Sequence, residues 1–98
     1  MIKKQAIKGS DQVKVSFILP ADAVDGRVSV VGDFNGWNPA AHPLRPRSNG
    51  TRSAAVTLPS GHRFAFRYLA EGDRWYDDDS AHEFAPNGIG GVNSVVHT

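Results

Sequence analysis

The sequence predicts an all-β domain built as a β-sandwich, and three observations carry that prediction. Apolar and polar residues alternate at period two in several short segments, as they do in strands with one buried face. No segment keeps a helical apolar period over three turns. Turn-forming residues recur between the apolar segments at roughly eight- to fifteen-residue spacing, the rhythm of a sandwich.

The strands follow in order. Val13, Val15, Phe17 and Leu19 share one face of a first strand, which Pro20 stops. Arg27 to Val31 is β-branched and ends at Gly32. Ala54 to Leu58 is a third strand, closed by Pro59. His62 to Leu69 is a fourth, with Phe64, Phe66 and Tyr68 on one face and Arg63, Ala65, Arg67 and Leu69 on the other. Val92 to Val96 is the last. Asn49-Gly50 suits a tight hairpin because both residues tolerate positive φ. Ser60-Gly61 and Glu71-Gly72-Asp73 make further short turns. Residues 1–10 fit either a frayed end or an edge strand, and residues 11–98 form a single domain.

Composition narrows the function classes. The 98 residues suit one domain with a modest core. The net charge is +1, with acids and bases interspersed. That leaves no basic stripe for nucleic acid. No cysteine is present, so neither a disulfide framework nor a thiolate zinc site is available. The lysines at the N-terminus precede no apolar run, and no later stretch suits a membrane span. A soluble cytoplasmic protein is expected. Asn49-Gly50-Thr51 fits a glycosylation sequon but reads as a turn in that setting.

Catalytic chemistry finds little support. Asp77, Asp78 and Asp79 form the acidic cluster. In an extended segment Asp77 and Asp79 would stand roughly 6.5–7 Å apart, close to the ~6.5–9.5 Å of an inverting glycosidase pair. Acids so placed on a loop face water, with nothing to raise the pKa of a general acid. A calcium site there lacks the glycine and distal glutamate of an EF-hand loop. His42, His62, His82 and His97 show no metal-ligand spacing. The Gly88-Ile89-Gly90-Gly91 run leads into a strand and carries no lysine, unlike a phosphate cradle. No catalytic residue, metal or cofactor is expected.

Binding is the better reading. Trp37 sits in a turn among Asn35, Gly36, Asn38 and Pro39, and Trp75 follows another turn between Arg74 and Tyr76. A flat ring beside amide and guanidinium groups suits a pyranose. The C–H face of the sugar packs on the ring, and its hydroxyls reach the polar neighbours.

The blocks Gly32-Asp33-Phe34-Asn35-Gly36-Trp37-Asn38, Leu58-Pro59-x-Gly61, Phe66-Arg67-Tyr68-Leu69, Trp75-x-x-Asp78 and Gly90-Gly91-Val92-Asn93-Ser94-Val95-Val96 resemble one family in residues and order. It is the glycogen-binding carbohydrate-binding module of the isoamylase N-terminal, or early-set, type. Such modules occur in glycogen branching and debranching enzymes and in the β subunit of AMP-activated protein kinase. The resemblance runs from about Val13 to Val96. It implies an immunoglobulin-like β-sandwich and a non-catalytic module that binds α-1,4-linked glucans such as glycogen, starch and maltooligosaccharides. By the resemblance, Trp37 and Trp75 are the sugar platform and Arg67 is the assisting cation. Asn93 hydrogen-bonds the glucan, and Ile89 stands where the family has a leucine against the sugar ring. Three departures accompany this. Arg67 replaces a frequent lysine, Ile89 is a stiffer wedge than leucine, and Gly91 stands in place of a hydroxyl-bearing residue. The alternative is a protein-interaction or regulatory module of the same fold that has lost sugar binding and pairs with a separate glycogen-metabolism or other partner protein.

Overall fold

The computed structural model describes residues 1–78 and 80–98. Among them are nine strands: β1 (Ile2–Ala6), β2 (Gln12–Pro20), β3 (Val28–Gly32), β4 (Arg45–Pro46), β5 (Thr51–Pro59), β6 (Arg63–Ala70), β7 (Arg74–Tyr76), β8 (Glu83–Pro86) and β9 (Val92–His97). A single 3₁₀ turn, Asp33–Asn35, follows β3. One sheet has the order β1-β2-β5-β4. The other runs β3-β6-β9-β8, with β7 also paired to β6. All pairs are antiparallel. Two such sheets face to face make an immunoglobulin-like β-sandwich.

The alternation read in the sequence is the packing of the core. Val13, Val15 and Phe17 of β2 are buried against Val56 and Leu58 of β5 and against Phe66 and Tyr68 of β6. Phe17 lies at the centre. Its ring stacks on Phe34 at 5.4 Å between centroids and tilts against Phe66 at 4.9 Å. Such aromatic pairs add to the gain from burial alone.

The sequence left several elements unread or undecided. Residues 2–6 form an edge strand paired to β2 from Ile2↔Phe17 to Ala6↔Val13. β4 and β7 hold two and three residues, too few to show a period. β8 is a four-residue edge strand ending at Pro86, a place where proline is tolerated because one side needs no partner. β5 begins at Thr51, earlier than the apolar run from Ala54, because the Asn49-Gly50 hairpin carries pairing back to Pro46↔Arg52. Arg52 also gathers the loop before β3, donating to the backbone carbonyls of Ala21, Val24 and Gly26.

At the β1/β8 side of the sandwich the strand ends are stitched by polar groups. Lys4 Nζ donates to the His97 carbonyl at 2.8 Å. The His97 N–H donates to His82 Nδ1 at 2.9 Å. Glu83 contacts both Arg63 and His97. Partial burial, then the Lys4 ammonium and His97, hold His82 below the ordinary imidazole pKa of 6.5, with Asp78 opposing. Hydrogen bonds from Arg63 and His97 hold Glu83 below its ordinary 4.5. Both folded-state values are depressed, so the unfolded chain binds more protons on acidification. The His82 contribution is complete above 6.5 and is lost as pH falls from 6.5 toward the folded-state value. The loss tied to Glu83 begins lower, from 4.5 downward. Thermal melts should therefore show a lower Tm at about pH 5.5 than at about pH 7.5. In His82→Gln that difference should shrink.

Candidate functional site

β6 organises the site. Its inward residues Phe66 and Tyr68 enter the core, so Arg67 and Leu69 point to the outer face of the five-stranded sheet. β3 takes one edge of β6 from Phe66 to Ala70. On the other edge β9 pairs with Arg63 to Phe66, and β7 takes over at Tyr68. Arg67 falls at the hand-over. Trp75 lies opposite Leu69 and shares its outward face. Asn93 precedes Ser94, which is opposite inward Phe66, so Asn93 also points outward.

Trp37 is brought in by a tightly specified loop. Gly32 makes a close approach: a Cβ there would lie 2.4 Å from the Ala65 carbonyl oxygen and 2.9 Å from Phe66 Cβ. Phe34 anchors the loop in the core beside Phe17. Asn35 Oδ1 accepts the Gly32 N–H at 3.1 Å, and its Nδ2 donates to the Val30 carbonyl and to His42 Nδ1. Gly36 is left-handed at φ 64°, and Trp37 itself sits at φ 59°. That conformation costs a non-glycine residue on the order of 1–3 kcal/mol. It turns the indole back, so that Nε1 donates to Asp33 Oδ1 at 3.2 Å. Asp33 Oδ2 accepts the Ala65 N–H of β6 at 2.9 Å.

Arg67 is fixed from two sides. Its Nε donates to Asp77 Oδ1 at 3.1 Å in a partly exposed ion pair. Its guanidinium carbon lies 5.4 Å from the centroid of the Trp75 ring, within cation–π range. Neither terminal nitrogen has a protein acceptor among the described residues.

Trp37, Arg67, Trp75, Ile89 and Asn93 together line one shallow cavity of about 410 Å³. Every candidate binding residue named from the sequence is in that wall. Trp75 is 44% exposed and Ile89 is 87% exposed, while Trp37, Arg67 and Asn93 are half-buried. Asn87 completes the lining. The sequence reading missed Asn87 and Asp33, and weighed Asp77 for catalysis and calcium but not as the partner of Arg67. The signals available were weak: an asparagine opening the glycine run, and carboxylates two and four residues from a tryptophan.

The acidic cluster divides. Asp78 is buried and structural: Tyr68 Oη donates to its Oδ2 at 2.7 Å, its Oδ1 accepts the Ser80 N–H, and its own N–H donates to Ser94 Oγ. Asp77 is the partner of Arg67. Asp79, the other half of the glycosidase and calcium readings, lies outside the described residues. Among the described residues no group of three or more His, Asp or Glu is placed to hold a metal ion, and no helix is long and apolar enough to cross a membrane.

Fold and geometry thus define a small β-sandwich with an aromatic groove on the outer face of one sheet. No family model matches the chain. Among curated proteins, 49 residues are 71% identical to part of a 1,4-alpha-glucan branching enzyme, GlgB 2 of Xanthomonas campestris pv. campestris, covering 49% of this chain and 7% of that protein. A match to the branching enzyme GlgB of Cupriavidus pinatubonensis is 76% identical over 43 residues, 43% of this chain and 6% of that protein. A shorter one, to GlgB of Bradyrhizobium sp., is 71% identical over 24 residues, 24% of this chain and 3% of that protein. The chain therefore spans less than a tenth of the length of the curated relatives it matches.

Removing the Asp33 carboxylate leaves the Trp37 and Ala65 N–H groups without their acceptor. Asp33→Ala should lower unfolding stability by about 1–2 kcal/mol in urea titration, and the tryptophan emission should shift toward that of a more mobile indole.

Proposed function

We propose that this chain is a non-catalytic carbohydrate-binding module of the early-set, glycogen-binding type, directed at α-1,4-linked glucans. The observation that carries the reading is the single groove in which Trp37, Trp75, Arg67, Ile89 and Asn93 meet. Partial identity to 1,4-alpha-glucan branching enzymes supports the substrate class. In this reading the two indoles stack on glucose rings. Arg67 uses its free terminal nitrogens, and Asn93 its amide, on sugar hydroxyls. Ile89 fills the space beside a ring.

The groove suits this task because it is held before any sugar arrives. The Asp33 bond orients Trp37, and Arg67 packs on Trp75 while Asp77 holds its Nε. Pre-set side chains lower the ordering cost of binding. Roughly 50 Å² of apolar surface covered on each indole corresponds to about 1.3 kcal/mol. With a few exposed hydrogen bonds of about 0.5–1.5 kcal/mol each, the gross gain is about 4–6 kcal/mol. The expected dissociation constant is high micromolar to millimolar.

Trp37→Ala and Trp75→Ala should each weaken maltoheptaose binding by about tenfold. The double variant should lose its retardation in a native gel containing glycogen while keeping the β-sheet circular dichroism of the parent. Equal retardation of the double variant and the parent would remove the proposal.

A further inference from the structure

Asn87 stands in the wall of the groove with Trp37, Arg67, Trp75, Ile89 and Asn93, and its side chain has two faces with different duties. Its Oδ1 accepts the Ile89 N–H at 3.0 Å and the Gly91 N–H at 3.1 Å. Its backbone N–H donates to the Gly91 carbonyl at 3.0 Å. The oxygen is therefore committed to closing residues 87–91 into a loop that holds Ile89 outward. Two N–H donors converge on that atom, so the amide has one chemically sensible orientation, with oxygen toward the loop and nitrogen away from it. The nitrogen, Nδ2, has no hydrogen-bond acceptor among the described residues.

Gly91 is the counterpart. A Cβ built there would lie 2.9 Å from Asn87 Nδ2, so the amide occupies room that any side chain at position 91 would claim. Asn87 and Gly91 are a matched pair: the missing Cβ admits the amide.

We infer that Asn87 is a specificity-determining residue of the groove, its Nδ2 donating a hydrogen bond to an oxygen of the bound sugar. This rests on the proposed glucan-binding function and adds to it a donor that residue 91 does not supply. A group that can only donate selects a ligand with an oxygen at that point, whereas the indoles accept any suitably flat C–H face. Asn87 thus contributes selectivity and a modest share of affinity. Gly91 contributes by absence.

The test uses the whole chain and maltoheptaose. Asn87→Asp keeps the oxygen that closes the loop and removes the donor. It should weaken binding by about 2- to 10-fold, the range that corresponds to one exposed hydrogen bond, with the Tm unchanged. Gly91→Ala should weaken binding to a similar extent by displacing the amide, and combining the two should add little to either alone. In ¹H–¹⁵N spectra the Asn87 side-chain amide pair should shift on titration, a response that a purely loop-closing role would not give. If the parent binds maltoheptaose while Asn87→Asp binds equally well, or while the Asn87 amide pair stays fixed at saturation, the inference is overturned and the glucan-binding function stands. If the parent itself gives neither heat nor shift with maltoheptaose, the glucan-binding function fails and takes the inference with it.

Discussion

The Asp33 carboxylate ties together strand β6 and the turn that carries Trp37. β3 ends at Gly32, opposite Phe66, and the next amide along β6, that of Ala65, is met by Asp33 Oδ2. The second carboxylate oxygen accepts the Trp37 indole N–H. One side chain therefore extends the sheet by one bond and fixes the azimuth of a ring five residues past the last inward-facing glycine contact. Around it the demands are local and steric. Gly32 must lack a Cβ, Phe34 must fill the gap beside Phe17, and Gly36 must turn left-handed so that Trp37 can face back. The strain at Trp37 persists because its neighbours over-determine it.

β6 then converts core packing into surface geometry. Alternation sends Phe66 and Tyr68 inward, where both are fully buried, and so sends Arg67 outward at the point where β9 yields to β7. Any slip of one residue would put a guanidinium into the core and an aromatic ring into water. Core register and site register are the same constraint. The neighbouring carboxylates divide along this line. Asp78 serves the interior through Tyr68 and Ser94, while Asp77, one residue earlier, serves the groove through Arg67. Adjacent residues in an extended segment face opposite sides, which is why two similar acids acquire unrelated roles.

Legibility in the sequence tracks the range of the interaction. The long strands could be read because period two is a local signal: Val13, Val15 and Phe17 declared a buried face, and Phe66 and Tyr68 another. The short strands could not. Arg74-Trp75-Tyr76 and Arg45-Pro46 are strands through their partners in β6 and β5, and nothing within three residues encodes a partner. The two tryptophans were legible as residue types suited to a flat polar ligand, and the family resemblance placed Arg67, Ile89 and Asn93 beside them. Asp33, Asp77 and Asn87 were not legible as members of the site. Each has a commonplace local use, in a turn or on a solvated surface. Only the folded chain reveals that Asp33 reaches Ala65 and that Asn87 reaches Gly91.

Arginine and lysine would act differently at position 67 because of their shape. A lysine ammonium is a point charge on a flexible stem, free to follow a ligand. The Arg67 guanidinium is planar, packs over the Trp75 ring, and is tethered through Nε by Asp77. That tether leaves its two terminal nitrogens as a fork of fixed direction. On the proposed function the fork would cost little further entropy on binding, because its orientation is set in the free protein. It would also narrow the ligands that satisfy it, since donors in a fixed plane need acceptors at matching separation. The same logic applies at Asn87, whose oxygen is tied down and whose nitrogen is thereby aimed. In both side chains a hydrogen bond on one atom sets the direction of another, and on the proposed function the groove would select its sugar through those second bonds as well as through the rings.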